Sequence, residues 1–320
     1  MSKLQIVIGT YSGGLIGLEG KVNKLKTSFA FKAANNCIKS LSIVYPLLVA
    51  GDYEEMLRIY NLEEKKEFGS LLEGMGAINA LHSTNTHLLS ANEEGRVVIW
   101  RIKDWSQLHS LKGHKRGVND VKFHPSSRLA LSVGKDKKLI LWNLLKARVA
   151  FKSRFKFNLE QVEWSPCGNF FLVRSSRSIY LFNTDSNIKE EYIEFKHKTQ
   201  ISASDFAGKS NLLVAGDNSG SLFIWNTNNS HISFKAHSHR IIAVKYIQIE
   251  TAVGLKGLLI SLTSRGELSL WNADPLGSSV AQLEPQTFQE LENFNDVLVW
   301  SIQLKVRCAS LTAFFKRKPI

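Results

Sequence analysis

Nothing in the 320 residues approaches the roughly 18 consecutive apolar positions that a bilayer-crossing helix needs, which argues against a membrane protein. The opening stretch, MSKLQIVIGTYSGG, has too short an apolar segment and no cleavage-like site for a secretory signal. Cysteine is scarce. Cys37, Cys167 and Cys308 stand far apart and in no CxxC spacing, so no zinc site is indicated. They read as buried or half-buried thiols of a reducing compartment. There is no phosphate-cradling glycine loop, no metal-ligand spacing and no paired-carboxylate motif, so neither an enzyme nor a cofactor is expected.

What the chain does have is a period. Six β-rich segments begin at Ile38, Ile78, Val118, Leu159, Ile201 and Ile241, at intervals of 40, 40, 41, 42 and 40 residues. A second column of short strands runs in step and ends on an aromatic at Tyr60, Trp100, Trp142, Phe182, Trp225 and Trp271. Repeats of this length are blades of a propeller or units of a solenoid. The clearest unit, Lys112 to Arg154, reads as four strands (VNDVKF, RLALSV, LILW, VAFKSR) broken by HPSS, GKDKK and NLLKA. A lone sheet of this kind cannot bury both faces, and stacking sheets around an axis solves that. The expectation is one all-β domain over residues 1–320, a seven-bladed propeller.

The unit resembles the WD-repeat propellers. Gly113-His114, Ser132, Asp136 and Trp142 stand where that family places a hydrogen-bonded chain from indole to hydroxyl to imidazole to carboxylate. His237, Ser261 and Trp271 form a partial set with Arg265 at the acid position; the Trp100 unit has Ser90 and Glu94, with Met75 at the histidine position. His114, Ser132 and Asp136 are also the residue types of a catalytic triad. No nucleophile elbow accompanies them and Ser132 falls within a buried strand, so a structural role is expected.

Ring closure has a candidate. Leu4–Thr10 and Gly14–Leu18 look like second and third strands lacking a first, and Ala309–Phe314 (ASLTAF) fits the missing position. Residues 277–295 read as a surface insertion in the last blade with a short helix as one form, and 315–320 as a short basic tail. Val297–Leu304 fits either an outer strand or an alternative first strand.

Charge is uneven. Lys and Arg number 41 against 28 Asp and Glu, a net +13. Residues 101–156 alone hold fifteen basic side chains against Asp104, Asp120 and Asp136, leaving the remaining 264 residues near neutral. The resemblance to WD-repeat propellers implies that Lys112, Lys115 and Arg116 share a face with Lys135, Lys137 and Lys138, with Arg154 and Lys156 adjoining. A solvated surface and a partner- or RNA-binding patch both remain open for this cluster. Phe151, Phe155 and Phe157 alternate with bases as in single-strand binders, but core packing is the expected use.

The run from His87 to Phe151, most distinctively HPSSRLALSVGKDKKLILWNL, resembles the p21-activated-kinase-interacting protein family, known in yeast as a maintenance-of-killer protein; VEWSPCGN, VAGDNSGSLFIW and FKAHSHRI also fit. The likeness covers about residues 4–275. It implies a non-catalytic scaffold of the nucleus and nucleolus, monomeric within a larger complex. There it would act in early assembly of the large (60S) ribosomal subunit and help recruit a ribosomal-protein-like assembly factor, with ribosomal RNA as a further candidate partner. The alternative that the resemblance offers is an adaptor that binds and restrains a p21-activated kinase.

Overall fold

Alternating apolar and polar positions, punctuated every six or so residues by turn formers, make each forty-residue unit a single antiparallel sheet. In the computed structural model, residues 3–72, 76–185, 191–208, 212–227, 230–251, 254–281, 288–290 and 297–316 are described. Among them the strands gather into seven sheets, here blades I to VII. Blade IV pairs Val118–Phe123, Leu129–Gly134, Lys138–Asn143 and Arg148–Arg154 in that order. Its second strand is buried at five consecutive positions while the fourth alternates, because the inner strands are covered on both sides and the outer one on a single side. The first strands of blades II, III, VI and VII begin at Ile38, Ile78, Ile201 and Ile241, and that of blade V at Gln161.

No blade owns a core. Seven clusters of buried apolar side chains are found, and each straddles one junction. Trp142 and Ile140 of blade IV, for example, pack with Leu89, Val97 and Leu111 of blade III. A fully buried Leu or Ile stabilises by about 1.5–3 kcal/mol, so each sheet depends on its neighbours for its share.

The innermost strands are also stitched sideways. Asn79 Nδ2 donates to Val118 O (2.8 Å), Asn119 Nδ2 to Leu159 O (2.6 Å), Ser202 Oγ to Ile241 O and Ser310 Oγ to Ile38 O (2.9 Å). Returning bonds run from Phe123 N–H to His82 Nδ1, from Val162 N–H to Asp120 and from Tyr246 N–H to Asp205. All seven first strands line an axial cavity of about 270 Å³. Inside it Lys122 lies 2.8 Å from Glu163, and Lys245 lies 3.2 Å from Asp205 and 3.7 Å from Glu163.

The ring closes in blade I, where Cys308–Lys316 pairs antiparallel with Lys3–Thr10. This is the expected C-terminal strand, two residues longer at its end and one at its start. Leu298–Gln303 pairs with Glu267–Asn272 as the outer strand of blade VII, which settles the open choice for that run. Between them a helix spans Ala273–Ala281, beginning four residues before the expected insertion, with Leu276 buried against blades VI and VII. Phe288–Glu290 then adds a parallel strand to the edge of blade VI. Residues 282–287, 291–296 and 317–320, which include most of the insertion and of the basic tail, lie outside the described residues, as does Met75. Cys167 is exposed in the turn between the first two strands of blade V, a correction to its expected burial; Cys308 is buried and Cys37 half-buried.

Candidate partner-binding face

Because the four consecutive strands of each blade run antiparallel, the hairpins between second and third strands share one face with the links between blades. On blade IV that face is organised from beneath by the polar chain. Trp142 Nε1 donates to Ser132 Oγ (2.8 Å), Ser132 Oγ lies 2.8 Å from His114 Nε2, and His114 Nδ1 lies 2.9 Å from Asp136 Oδ1. Burial lowers the pKa of His114, more than Asp136 raises it, so the ring is neutral with one nitrogen donating and the other accepting. Burial alone would raise Asp136, but the Lys115 N–H at 3.0 Å and His114 outweigh it and keep the carboxylate ionised. The glycines are spatial requirements. A Cβ on Gly113 would sit 2.6 Å from the Trp142 ring, and one on Gly134 2.5 Å from His114 Nδ1.

Ser132 has no exposed surface, and its hydroxyl serves both Trp142 and His114, so no substrate can reach it. Removing that hydroxyl orphans two buried groups. Ser132→Ala is therefore expected to cost about 2–4 kcal/mol, read as a lower urea midpoint at unchanged slope; a loss under about 0.5 kcal/mol would contradict this shared bonding.

Blade VII carries a similar chain: Trp271 Nε1 to Ser261 Oγ (2.8 Å), then His237 Nε2 (2.6 Å), with His237 Nδ1 3.1 Å from Glu267 Oε1. The acid is thus Glu267, two residues beyond Arg265, because a glutamate is long enough to reach back from the start of the third strand. In blade III Trp100 Nε1 donates to Ser90 (2.9 Å), while Glu94 is exposed.

The polar chain positions cations. Lys115, Arg116, Lys135, Lys137, Lys138 and Arg154 wall a pocket of about 290 Å³ whose sole acid is Asp136. That charge is already engaged by His114 and by the N–H groups of Lys115 and Lys138. Lys135 pairs with Glu93 of blade III and Lys138 lies 3.7 Å from Asp136. Among the described residues no ion pair engages Lys115, Arg116, Lys137 or Arg154. Lys137 holds φ 60°, where the matching hairpins have Gly95, Gly220 and Gly266, and its Nζ donates to Lys156 O (3.2 Å). Lys112 and Lys156 are exposed but outside the pocket wall. Phe157 stacks on Tyr180 (4.0 Å) and Phe155 packs against Phe182, so these rings serve the junction between blades IV and V.

One repeated device escaped the sequence reading. Thr10, Asp52, Asn92, Asp217 and Thr263 each close a second strand and accept the backbone N–H four residues on, fixing the hairpins of this face. The signal was a polar residue ending each of those strands, at nearly the same period as the aromatics. Among the described residues no cluster of three or more metal-ligating side chains occurs, and no helix is long and apolar enough to cross a membrane.

Comparison with known proteins agrees with this geometry. Residues 105–143 match the WD domain, G-beta repeat. The chain is 30% identical over 276 residues to the p21-activated protein kinase-interacting protein 1-like of Gallus gallus, covering 85% of this chain and 73% of that one. It is 32% identical over 230 residues to protein MAK11 of Saccharomyces cerevisiae (62% and 56%) and 25% identical over 280 residues to Shk1 kinase-binding protein 15 of Schizosaccharomyces pombe (85% and 78%). With seven blades, a closed ring and this degree of identity over most of both chains, the protein belongs to the p21-activated protein kinase-interacting protein 1-like family of WD-repeat propellers.

Proposed function

We propose that the protein is a non-catalytic scaffold in early, nucleolar assembly of the large ribosomal subunit, working as a monomer within a larger particle. The observation that carries this reading is the blade IV pocket, where Lys115, Arg116 and Arg154 are exposed, Lys137 is half-buried, and none of the four has an ion-pair partner among the described residues. A rigid ring that holds uncompensated positive charge on one face suits a particle dominated by RNA phosphate. Kinship with MAK11, and the role implied by the resemblance to its family, support the same assignment. Lys112 and Lys156 extend the charge beyond the pocket, and assembly factors would dock on the neighbouring loops.

Depleting the protein from its native cells is expected to lower free large subunits in a sedimentation profile and to strand early precursors; an unchanged profile would defeat the proposal. A second reading, an adaptor restraining a p21-activated kinase, is favoured by the names of the relatives from Gallus gallus and Schizosaccharomyces pombe. It requires direct binding to the kinase's regulatory segment and lowered activity in a purified assay.

A further inference from the structure

The face that carries the basic pocket is electrically lopsided. Glu54, Glu55, Glu93 and Glu94 stand on the hairpins of blades II and III. Going round from blade IV, the same face presents Lys156, Arg177, Lys196 and Lys198, all exposed. Most acids on this arc are used internally, although Glu194 lies 3.2 Å from Lys196. Asp136 serves the polar chain, Glu160 pairs with Arg174 at 2.5 Å, and Asp217 accepts from Ser219 and Ser221 N–H groups with His197 at 3.6 Å. The loops adjoin one another through backbone bonds of 2.9 Å: Phe155 N–H to Lys137 O, His197 N–H to Arg177 O and Asn218 N–H to Gln200 O.

Blade VI ends this arc with a different chemistry. A slot of about 380 Å³ is lined by Lys196, His197 and Lys198 from the incoming link and by Ser219, Phe223 and His231. The His197 ring lies 4.0 Å from that of Phe223, and Phe223 lies 6.4 Å from His231. The half-buried His197 and His231 rings over the buried Phe223, with serine hydroxyls and flanking lysines, suit a splayed base and its phosphate. The blade IV pocket has no ring at all and suits phosphates alone.

We propose that single-stranded RNA runs over this face from blade IV to blade VI, with backbone phosphates in the blade IV pocket and one unstacked base in the blade VI slot. The choice of RNA as the polyanion rests on the ribosome-assembly reading; the two-ended track rests on the geometry. A single phosphorylated side chain would use one end only. Duplex RNA would offer no free base to the other.

The test is fluorescence anisotropy of the full chain with a labelled single-stranded RNA of about 12 nucleotides, from about 50 to 200 mM salt. Affinity is expected to fall with salt by about 0.7 log units per log unit for each phosphate held. Lys115→Glu with Arg116→Glu, and separately Lys196→Glu with Lys198→Glu, should each weaken binding about tenfold or more and flatten that slope. His197→Ala should weaken it at least about fivefold with the slope retained. The lysines and arginine are exposed, so both double variants should melt as the parent does. Wild-type affinity in the blade VI double variant would overturn the track, as would tighter binding of duplex RNA or of a phosphopeptide. If RNA binding fails while depletion still blocks subunit maturation, the track falls and the scaffold reading stands. If RNA binds as described but maturation proceeds normally on depletion, the track stands and the scaffold reading falls.

Discussion

Truncating the chain after Leu304 is expected to abolish cooperative folding rather than lower its midpoint. The lost segment supplies the first strand of blade I, paired with Lys3–Thr10 through eight register partners. At about 1 kcal/mol net per hydrogen bond the ladder alone approaches the roughly 5–15 kcal/mol by which a domain is stable. Buried Cys308 and the Ser310 bond to Ile38 O are lost with it. Removal also lays bare the junction core where Leu4, Ile6 and Ile8 meet Leu258, Ile260 and Leu262. The truncated chain should show no sharp thermal transition, and a synthetic peptide covering residues 305–316, added in trans, should restore one. A truncated protein that melts as the full chain does would refute closure by this strand.

The second large effect lies in the axial cavity, where two neighbouring carboxylates titrate in opposite directions. Burial alone would raise Glu163, but Lys122 and Lys245 outweigh it and hold it at about 2. Burial raises Asp120 to about 6, with only partial relief from Lys122. Glu163 therefore contributes stability that is complete above about pH 4.5 and lost as pH falls toward 2. Asp120 behaves oppositely: its contribution is complete below pH 3.8 and lost as pH rises through 6. Glu163→Gln leaves two lysines facing no charge at that position and is expected to cost about 3–5 kcal/mol at pH 7. Asp120→Asn removes a penalty of about 2–3 kcal/mol above pH 6 but keeps only one of two backbone hydrogen bonds. Its net gain at pH 7 should be about 1 kcal/mol, and the fall in stability between pH 4 and 6 should shrink. Equal losses from both substitutions in urea titrations would mean that the cavity does not separate the two acids.

Much of this architecture was legible because it repeats. The aromatic column and the first-strand starts carry the period in single letters, and Ala309–Phe314 matched a strand that the N-terminal unit lacked. What could not be read depends on distances across the ring. Lys122, Glu163, Asp205 and Lys245 lie about forty residues apart in the chain and meet only when the first strands converge on the axis. Glu267 is not legible from the blade IV spacing, because it stands six residues after Ser261 and reaches His237 by its longer side chain, whereas Asp136 stands four after Ser132. The blade VI slot was hidden by arithmetic: Glu191 and Glu194 cancel Lys196 and Lys198 along the chain, but in space Glu194 lies 3.2 Å from Lys196 in the same outer strand, and no ion pair engages Lys198 among the described residues. The basic cluster of blade IV showed itself because its cations are contiguous in the chain as well as in space.

Joining the first strands made to the last has a cost during synthesis. Lys3–Thr10, buried at seven of its eight positions, leaves the ribosome ahead of the other strands of the ring, and its inner neighbour is translated almost three hundred residues later. Throughout that interval the nascent protein carries an open, apolar strand edge of the kind that recruits other chains. Production in cells should consequently depend on a chaperone that shelters this N-terminal edge until translation delivers Cys308–Lys316.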